Sequence, residues 1–152
     1  MEKILSKAIT LALKAHEGQV DKSGMPYAGH IMRVMAVGRT IDEKIVGVLH
    51  DVVEDTDATV DEIRFFFNER IATLVEAESE DKRKDLPPQE TWMIRKMETL
   101  EFLRTKADKK KKILASADKL SNIRAIHRDQ NTVGDKLWER FNEKRKEKHG
   151  WM

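Results

Sequence analysis

The sequence predicts an all-α protein built as a single domain. Apolar residues such as Leu5, Ala8 and Ala12 recur at intervals of three and four, which is the spacing of one helical face. No segment shows the strict apolar–polar alternation that is typical of a half-buried strand, and no internal repeat is present. The chain has 152 residues, enough for one domain with a hydrophobic core. We therefore expect one helical bundle over residues 1–152.

The first helix is predicted where this spacing is clearest, from Ile4 to Leu13. The segment from Gly18 to Gly29 is predicted to be a loop, because Ser23-Gly24 and Pro26 interrupt the helical period. Two more helices are predicted beyond this loop, over residues 30–39 and 43–53.

A fourth helix is expected to begin near Val60, since Thr59 and Glu62 have the spacing of a capping box. In this helix Ile63, Phe66 and Phe67 are predicted to face the core. A fifth helix with the same apolar period follows, and it carries Ile71, Leu74 and Val75.

The stretch from Glu76 to Pro88 is polar and ends in two prolines, so we predict a loop there. It is either a mobile lid or an ordinary surface loop, and the second is the commoner outcome. Trp138 and Phe141, three residues apart near the end of the chain, are expected to face the core of a last helix. The helices predicted after the loop cover residues 90–104, 110–128 and 133–147.

The charge of the chain argues against a general polyanion binder. Charged residues make up 37% of the chain, yet the net charge is only +2. Basic residues concentrate late, as in the run from Lys109 to Lys112, and they are not interleaved with aromatic residues. We interpret them as a solvated surface, with weak steering of a phosphorylated ligand as the alternative. A nucleic acid is not an expected partner.

Nothing in the sequence indicates export, disulfides or insertion into a membrane. The chain contains no cysteine, and its first residues alternate apolar with charged types, unlike a signal peptide. No apolar run approaches the ~18 residues of a membrane span. We therefore expect a cytoplasmic protein with no membrane partner. Trp151-Met152 either packs back on the domain or contributes to a homodimer, and the sequence leaves both open.

Chemistry is concentrated in one apolar helix, where His50-Asp51 is followed three residues later by Glu54-Asp55. Carboxylates are rarely buried among valine and leucine unless they are paired or bind a metal. Successive helical residues are separated by ~100°, so His50 and Asp51 can converge on one cation. Glu54 and Asp55 lie one turn further along the helix, which indicates an acid/base pair beside the cation.

Two further residues complete a metal-binding set. His30 opens a helix after the Gly/Pro loop, and Asp118 interrupts another apolar helix. With His50 and Asp51 they supply two imidazoles and two carboxylates, which suit a divalent cation such as Mn²⁺, Fe²⁺ or Zn²⁺. Taken singly, His30 indicates a cap or packing residue, and Asp118 a buried salt bridge. The four together favour a site that leaves coordination positions open for water and a phosphate oxygen.

Three segments in order resemble the motifs of the HD phosphohydrolase superfamily. They match its RelA/SpoT-type (p)ppGpp hydrolases, and among these the small Mesh1-like branch. The resemblance covers about residues 8–128, within a motif-bearing core of about 4–128, and it implies a small hydrolase-only HD domain of helical type. The matching segments are His16-Glu17-Gly18-Gln19 through His30, His50 through Thr56, and Ala117 through Arg124.

The resemblance implies a metal-dependent pyrophosphohydrolase acting on a nucleotide. By this resemblance the four residues above are the metal ligands, Glu54 and Asp55 position or deprotonate water, and the metal holds the pyrophosphate on the ribose 3′ oxygen. We expect one ion, because no histidine lies between Asp51 and Ala117 to hold a second. Mn²⁺ is the expected ion, with Fe²⁺ and Zn²⁺ as alternatives. The expected nucleotide contacts are Lys22, Tyr27 and Asn122.

The sequence departs from the family pattern at three places. Asp21 stands where the family usually has an arginine that contacts the guanine base, Ile31 replaces a proline, and Thr91-Trp92 replaces an expected basic pair. Two alternatives therefore stay open: the same chemistry on another nucleotide, and a nucleotide sensor that does not hydrolyse. The retained pair of Glu54 and Asp55 argues against the sensor. His16 is interpreted either as a packing residue or as a residue that contacts the metal ligands, and His127 and His149 as surface residues.

Overall fold

The computed structural model describes residues 2–79, 83, 85–141 and 144, and in this part of the chain it is all-helical, as predicted. No strand forms among these residues, although an antiparallel bridge joins Val20 to Pro26 within the first loop. The elements are α1 (Glu2–Ala15), α2 (Ala28–Val37), α3 (Ile41–Asp55), α4 (Val60–Phe66), α5 (Glu69–Glu78), α6 (Pro88–Thr105), α7 (Lys109–Val133) and a 3-10 helix (Gly134–Arg140).

Helix α3 is the centre of the bundle and packs against α1, α2, α5 and α7. Its Ile45, Leu49 and Val52 recur at intervals of three and four, and each is no more than 1% exposed. Burying one such side chain contributes about 1.5–3 kcal/mol. Ala8 and Ala12 of α1 are also fully buried, and their small side chains allow α1 and α3 to approach closely. The apolar face of α3 thereby positions its polar face.

The start of α4 confirms the predicted capping box. The hydroxyl of Thr59 accepts from Glu62 N (3.2 Å), and the Glu62 carboxylate accepts from Thr59 N (2.8 Å). Thr40 and Glu43 form the same arrangement at the start of α3. Each box satisfies backbone donors that the first helical turn leaves unpaired.

The predicted core face of α4 is wrong at Phe66. Ile63 is fully buried and Phe67 packs against the core, but Phe66 is 44% exposed and its neighbour Phe65 is 84% exposed. The helix has only seven residues and ends at Phe66. A helix of two turns can direct only a few side chains at the core. Here these are Ile63 and, directly after the helix, Phe67, whereas Phe66 lies at the edge of the core.

The predicted α-helix over residues 133–147 is wrong in its described part. Helix α7 continues to Val133, and residues 134–140 then form a 3-10 helix. Gly134 adopts a φ of 64°, a conformation that glycine tolerates and that ends an α-helix. The buried residue of the segment is Leu137, whereas Trp138 and Phe141 are half-buried and contact each other. Residues 145–147, His149 and Trp151-Met152 lie outside the described residues.

Two other predictions concern segments at the surface. The loop predicted from Glu76 begins later, because α5 continues to Glu78. His127 is exposed, as expected. None of the helices among the described residues combines the length and apolar character that crossing a membrane requires.

Candidate metal centre

His30 enters the site from the first turn of α2. The loop before it is closed by a hydrogen bond from Tyr27 N to Gln19 O (3.0 Å), and α2 begins directly afterwards at Ala28. His30 is only 1% exposed, so its ring lies inside the bundle. The ring packs 5.0 Å, centroid to centroid, from that of Tyr27.

His50 and Asp51 enter from the polar face of α3. The Nδ1–H of His50 donates to the carbonyl oxygen of Gly47 (3.0 Å), one turn earlier. This bond assigns the proton to Nδ1 and leaves the lone pair of Nε2 facing the cleft. Asp51 is 7% exposed, and its neighbour Val52 is fully buried. The apolar packing of α3 therefore fixes the direction in which both polar side chains point.

Asp118 of α7 completes the group, and the structure brings all four predicted ligands together. One ligand atom from each of His30, His50, Asp51 and Asp118 lies within 4.8 Å of the others. Nε2 of His30 lies 3.3 Å from Oδ2 of Asp51 and 3.3 Å from Oδ1 of Asp118. Nε2 of His50 lies 3.1 Å from Oδ1 of Asp51. Among the described residues this is the one group of three or more such side chains that converges.

The donor atoms fit a bound divalent cation. Nε2 of His30 and Nε2 of His50 are both buried, and neither has a hydrogen-bond partner of acceptable geometry among the described residues. A buried nitrogen without a partner costs free energy, and a metal ion at this point would remove that cost. Two imidazole nitrogens and two carboxylate oxygens form a set that borderline and hard divalent ions accept.

The pKa values of the metal-free cluster also fit a cation site. Burial lowers the pKa of His30, but the carboxylates of Asp118 and Asp51 raise it more, to about 9. Burial raises the pKa of the Asp51 carboxyl, but the His50 imidazole and the contact with His30 lower it well below its usual range. Asp51 and Asp118 therefore stay ionised, and His30 carries a proton on both of its ring nitrogens.

A second layer of contacts holds the ligands in place. The Tyr27 hydroxyl donates to Oδ2 of Asp51 (2.7 Å), and burial together with that carboxylate raises the pKa of the phenol, so it remains a donor. Nδ1 of His30 lies 3.0 Å from Oγ of Ser121. Tyr27, predicted to contact the nucleotide, therefore binds a predicted metal ligand through its hydroxyl, and its side chain also borders the cleft.

Asp118 has two polar neighbours on α7. Nδ2 of Asn122 donates to Oδ1 of Asp118 (2.9 Å), and Nζ of Lys119 donates to Oδ2 (2.5 Å). Burial lowers the pKa of Lys119, but the Asp118 carboxylate raises it more, so the lysine remains charged. Asn122, predicted as a nucleotide contact, lines the cleft while its amide is held by Asp118. Lys119 directly follows Asp118 in the sequence, yet no role was predicted for it.

The metal centre opens into a cleft of about 660 Å³ that contains the other predicted residues. Glu54 is half-buried and Asp55 is exposed, and both line this cleft beside His50 and Asp51. Lys22 is exposed and lines it from the first loop. The cleft therefore brings the expected acid/base pair and a cation to the metal centre.

Two basic residues reach the cleft one turn after Thr91-Trp92, the segment that stands where a basic pair is expected. Thr91 and Trp92 are buried, and Arg95 and Lys96 line the cleft together with Trp92. Arg95 is only 4% exposed, and its Nε donates to the hydroxyl of Thr91 (3.1 Å). A buried arginine facing a cleft is a ready partner for a phosphate.

Asp21 has a structural role in the first loop. Its Oδ1 accepts from Ser23 N (2.9 Å), Ser23 Oγ (2.7 Å) and Met25 N (3.1 Å). Its Oδ2 lies 3.5 Å from Nη2 of Arg33, and Nε of Arg33 donates to Oγ of Ser121 (2.9 Å). Burial raises the pKa of Asp21, but these hydrogen bonds lower it overall. The carboxylate is thus turned into the loop, and neither Arg33 nor Ser121 was singled out from the sequence.

Comparison with known proteins places this geometry in a family. A family model described as an HD domain matches residues 8–142. The chain is 33% identical over 129 residues to the GTP pyrophosphokinase rsh of Brucella melitensis, covering 82% of this chain and 17% of that protein. It is 29% identical over 126 residues to the guanosine-3′,5′-bis(diphosphate) 3′-pyrophosphohydrolase of Aquifex aeolicus, covering 80% and 18%. It thus spans less than a fifth of the length of these relatives.

Two solved structures share the fold. A metazoan orthologue of SpoT that hydrolyses ppGpp superposes with a TM-score of 0.71 at 27% identity, covering 90% of this chain and 84% of that one. A protein from Listeria monocytogenes superposes with a TM-score of 0.62 at 33% identity, covering 74% and 71%. The chain belongs to the HD domain family, and its motifs and structural neighbours identify it as an HD domain of the RelA/SpoT type.

Proposed function

We propose that this chain is a metal-dependent (p)ppGpp 3′-pyrophosphohydrolase. The observation that carries the proposal is the convergence of two imidazoles and two carboxylates from three helices, with Glu54 and Asp55 in the same cleft. The Aquifex relative is named for this reaction, and the metazoan structure, of which the chain covers 84%, is described as hydrolysing ppGpp. Such a site suits hydrolysis of a phosphate ester, where negative charge must be neutralised before water can attack.

The four clustered residues would hold one divalent ion, and we propose Mn²⁺, with Fe²⁺ and Zn²⁺ as alternatives. When bound, such an ion neutralises phosphate charge and lowers the pKa of a water molecule. His50 can serve as a ligand without moving, since Gly47 already orients its ring. Tyr27 and Ser121 keep Asp51 and His30 directed at the same point.

Glu54 and Asp55 are proposed to move the protons. One carboxylate accepts a proton as water attacks the phosphorus atom that is bonded to the ribose 3′ oxygen. The bond between that phosphorus and the 3′ oxygen breaks, and the second carboxyl group of the pair, in its protonated form, donates a proton to the departing oxygen. Pyrophosphate is released, together with guanosine 5′-diphosphate from ppGpp or guanosine 5′-triphosphate from pppGpp.

The charged walls of the cleft are proposed to hold the substrate phosphates. Arg95, Lys96 and Lys119 all line it, and their charge would pair with a pyrophosphate group. Lys22, in the first loop, and Asn122, in α7, are proposed to contact the nucleotide.

A direct assay tests this proposal against its two alternatives. The Mn²⁺-loaded protein is incubated with ppGpp and with a panel of nucleoside 5′-phosphates, and released pyrophosphate and orthophosphate are both measured. We expect faster turnover of ppGpp than of any simple nucleotide. Equal or lower turnover of ppGpp would favour another nucleotide as the substrate. Asp21 supports this alternative, because its carboxylate is bound within the loop and replaces the arginine that is expected to contact guanine. Micromolar binding without any turnover would indicate a sensor.

A further inference from the structure

We propose that Phe141 is the surface on which the nucleobase of the substrate stacks. This inference rests on the proposed function and adds a specificity-determining residue outside the three metal-ligand motifs. Phe141 directly follows the 3-10 helix of residues 134–140, and it borders the same cleft as the metal centre. A residue far along the chain thus reaches the cleft beside the loop that carries Lys22.

The 3-10 helix is anchored, so Phe141 occupies a defined position. Leu137, which belongs to this helix, is fully buried. The Arg140 guanidinium donates to the carbonyl oxygen of Lys22 (2.8 Å) and also pairs with the buried carboxylate of Asp129. The ring of Trp138 supports Phe141 at a centroid distance of 5.5 Å. These contacts tie the ring both to α7 and to the first loop.

The surroundings of Phe141 combine an apolar surface with one cation, Lys22. Aliphatic side chains of Val20 and Ile126 line the cleft with it, and Nζ of Lys22 lies 5.3 Å from its ring centroid. The nearby acid, Asp21, is directed into its own loop. An aromatic ring gains most from stacking on another flat ring, whereas phosphates gain most from cationic partners.

The cations suited to phosphate come from other elements. Arg95 and Lys96 belong to α6, and Lys119 lies beside the metal ligand Asp118. With the phosphates at the metal centre and these cations, the base of the same nucleotide requires an apolar surface elsewhere in the cleft. Phe141 supplies that surface.

The test compares a ligand with a base and a ligand without one. Binding of guanosine 5′-diphosphate and of pyrophosphate is measured by calorimetry in Mn²⁺ for the wild-type protein and for Phe141→Ala. Base–aromatic stacking predicts about tenfold weaker nucleotide binding in the variant, with pyrophosphate binding changed less than about twofold. Phe141→Trp should restore the nucleotide affinity. Lys96→Gln should weaken the binding of both ligands, because both carry phosphate groups.

Controls separate stacking from a general loss of structure. Phe65→Ala removes the same ring at an exposed position outside the cleft, and it should change neither affinity. Unchanged nucleotide affinity in Phe141→Ala, equal losses for both ligands, or no nucleotide binding by the wild type would overturn the inference. The selective loss without any hydrolysis of ppGpp would support the inference while the proposed function fails.

Discussion

Arg33 and Asp21 form an ion pair that links the first loop to the metal centre. Nη2 of Arg33 lies 3.5 Å from Oδ2 of Asp21, and the Nε of the same guanidinium donates to Ser121. The Ser121 hydroxyl has two lone pairs, so it can also accept from Nδ1 of His30 at 3.0 Å. A charge that departs from the family pattern is thereby balanced within the fold.

Replacing Asp21 by arginine should therefore impair the protein. Asp21→Arg removes three hydrogen bonds that close the loop and places two guanidinium groups together. We expect a loss of about 2–3 kcal/mol in the free energy of unfolding, measured by urea denaturation, together with lower turnover. Glu17→Arg makes the same charge change at an exposed residue nearby and should be nearly neutral. Increased ppGpp turnover by Asp21→Arg would contradict this account.

Metal binding and catalysis should separate in two variants of α3. His50→Ala removes a ligand, so we expect loss of both bound metal and activity. Glu54→Gln keeps the shape and the metal ligands but removes the carboxylate, so the rate should fall by about 10²–10⁴ with metal content retained. Metal analysis of the purified variants, combined with the rate measurement, checks both. Full activity of Glu54→Gln would exclude Glu54 as the proton-transfer group.

The Tyr27 hydroxyl should contribute to metal affinity. Tyr27→Phe removes only the donor to Oδ2 of Asp51 and leaves the ring packed against His16 and His30. Loss of such an outer contact typically weakens metal binding about 10–100-fold. Competition with a metal indicator measures the change. If affinity stays at the wild-type value while the KM for nucleotide rises, Tyr27 acts on the substrate instead.

Metal binding should release a proton near neutral pH. In the metal-free protein the carboxylates of Asp118 and Asp51 outweigh burial and raise the pKa of His30 to about 9. His30 is therefore protonated at about pH 7, and it must lose that proton to bind a metal. We expect affinity to increase with pH until it levels off above about 9. Calorimetry in buffers of different ionisation enthalpy counts the proton, and a heat independent of the buffer would refute the prediction.

The sequence by itself determined the all-helical class, most of the helices and the residue types of the candidate metal centre. Apolar residues at intervals of three and four are a local property, and they predicted α3 together with the polar residues that its packing orients. His50 and Asp51 were identifiable because an imidazole and a carboxylate interrupt an otherwise apolar helix. Gly134 is likewise a local feature of the sequence, and its positive φ ends α7, but the helix predicted over residues 133–147 took no account of it.

Only the tertiary structure decided which distant residues support the centre. The contact of Arg33 with Ser121 joins residues 88 apart in sequence, and that of Arg140 with Lys22 joins residues 118 apart. Such partners depend on how the helices pack, because periodicity shows which face of a helix is apolar but not which helix covers it. The same reason explains why Phe141 was predicted as a core residue, whereas the anchored 3-10 helix brings its ring to the cleft.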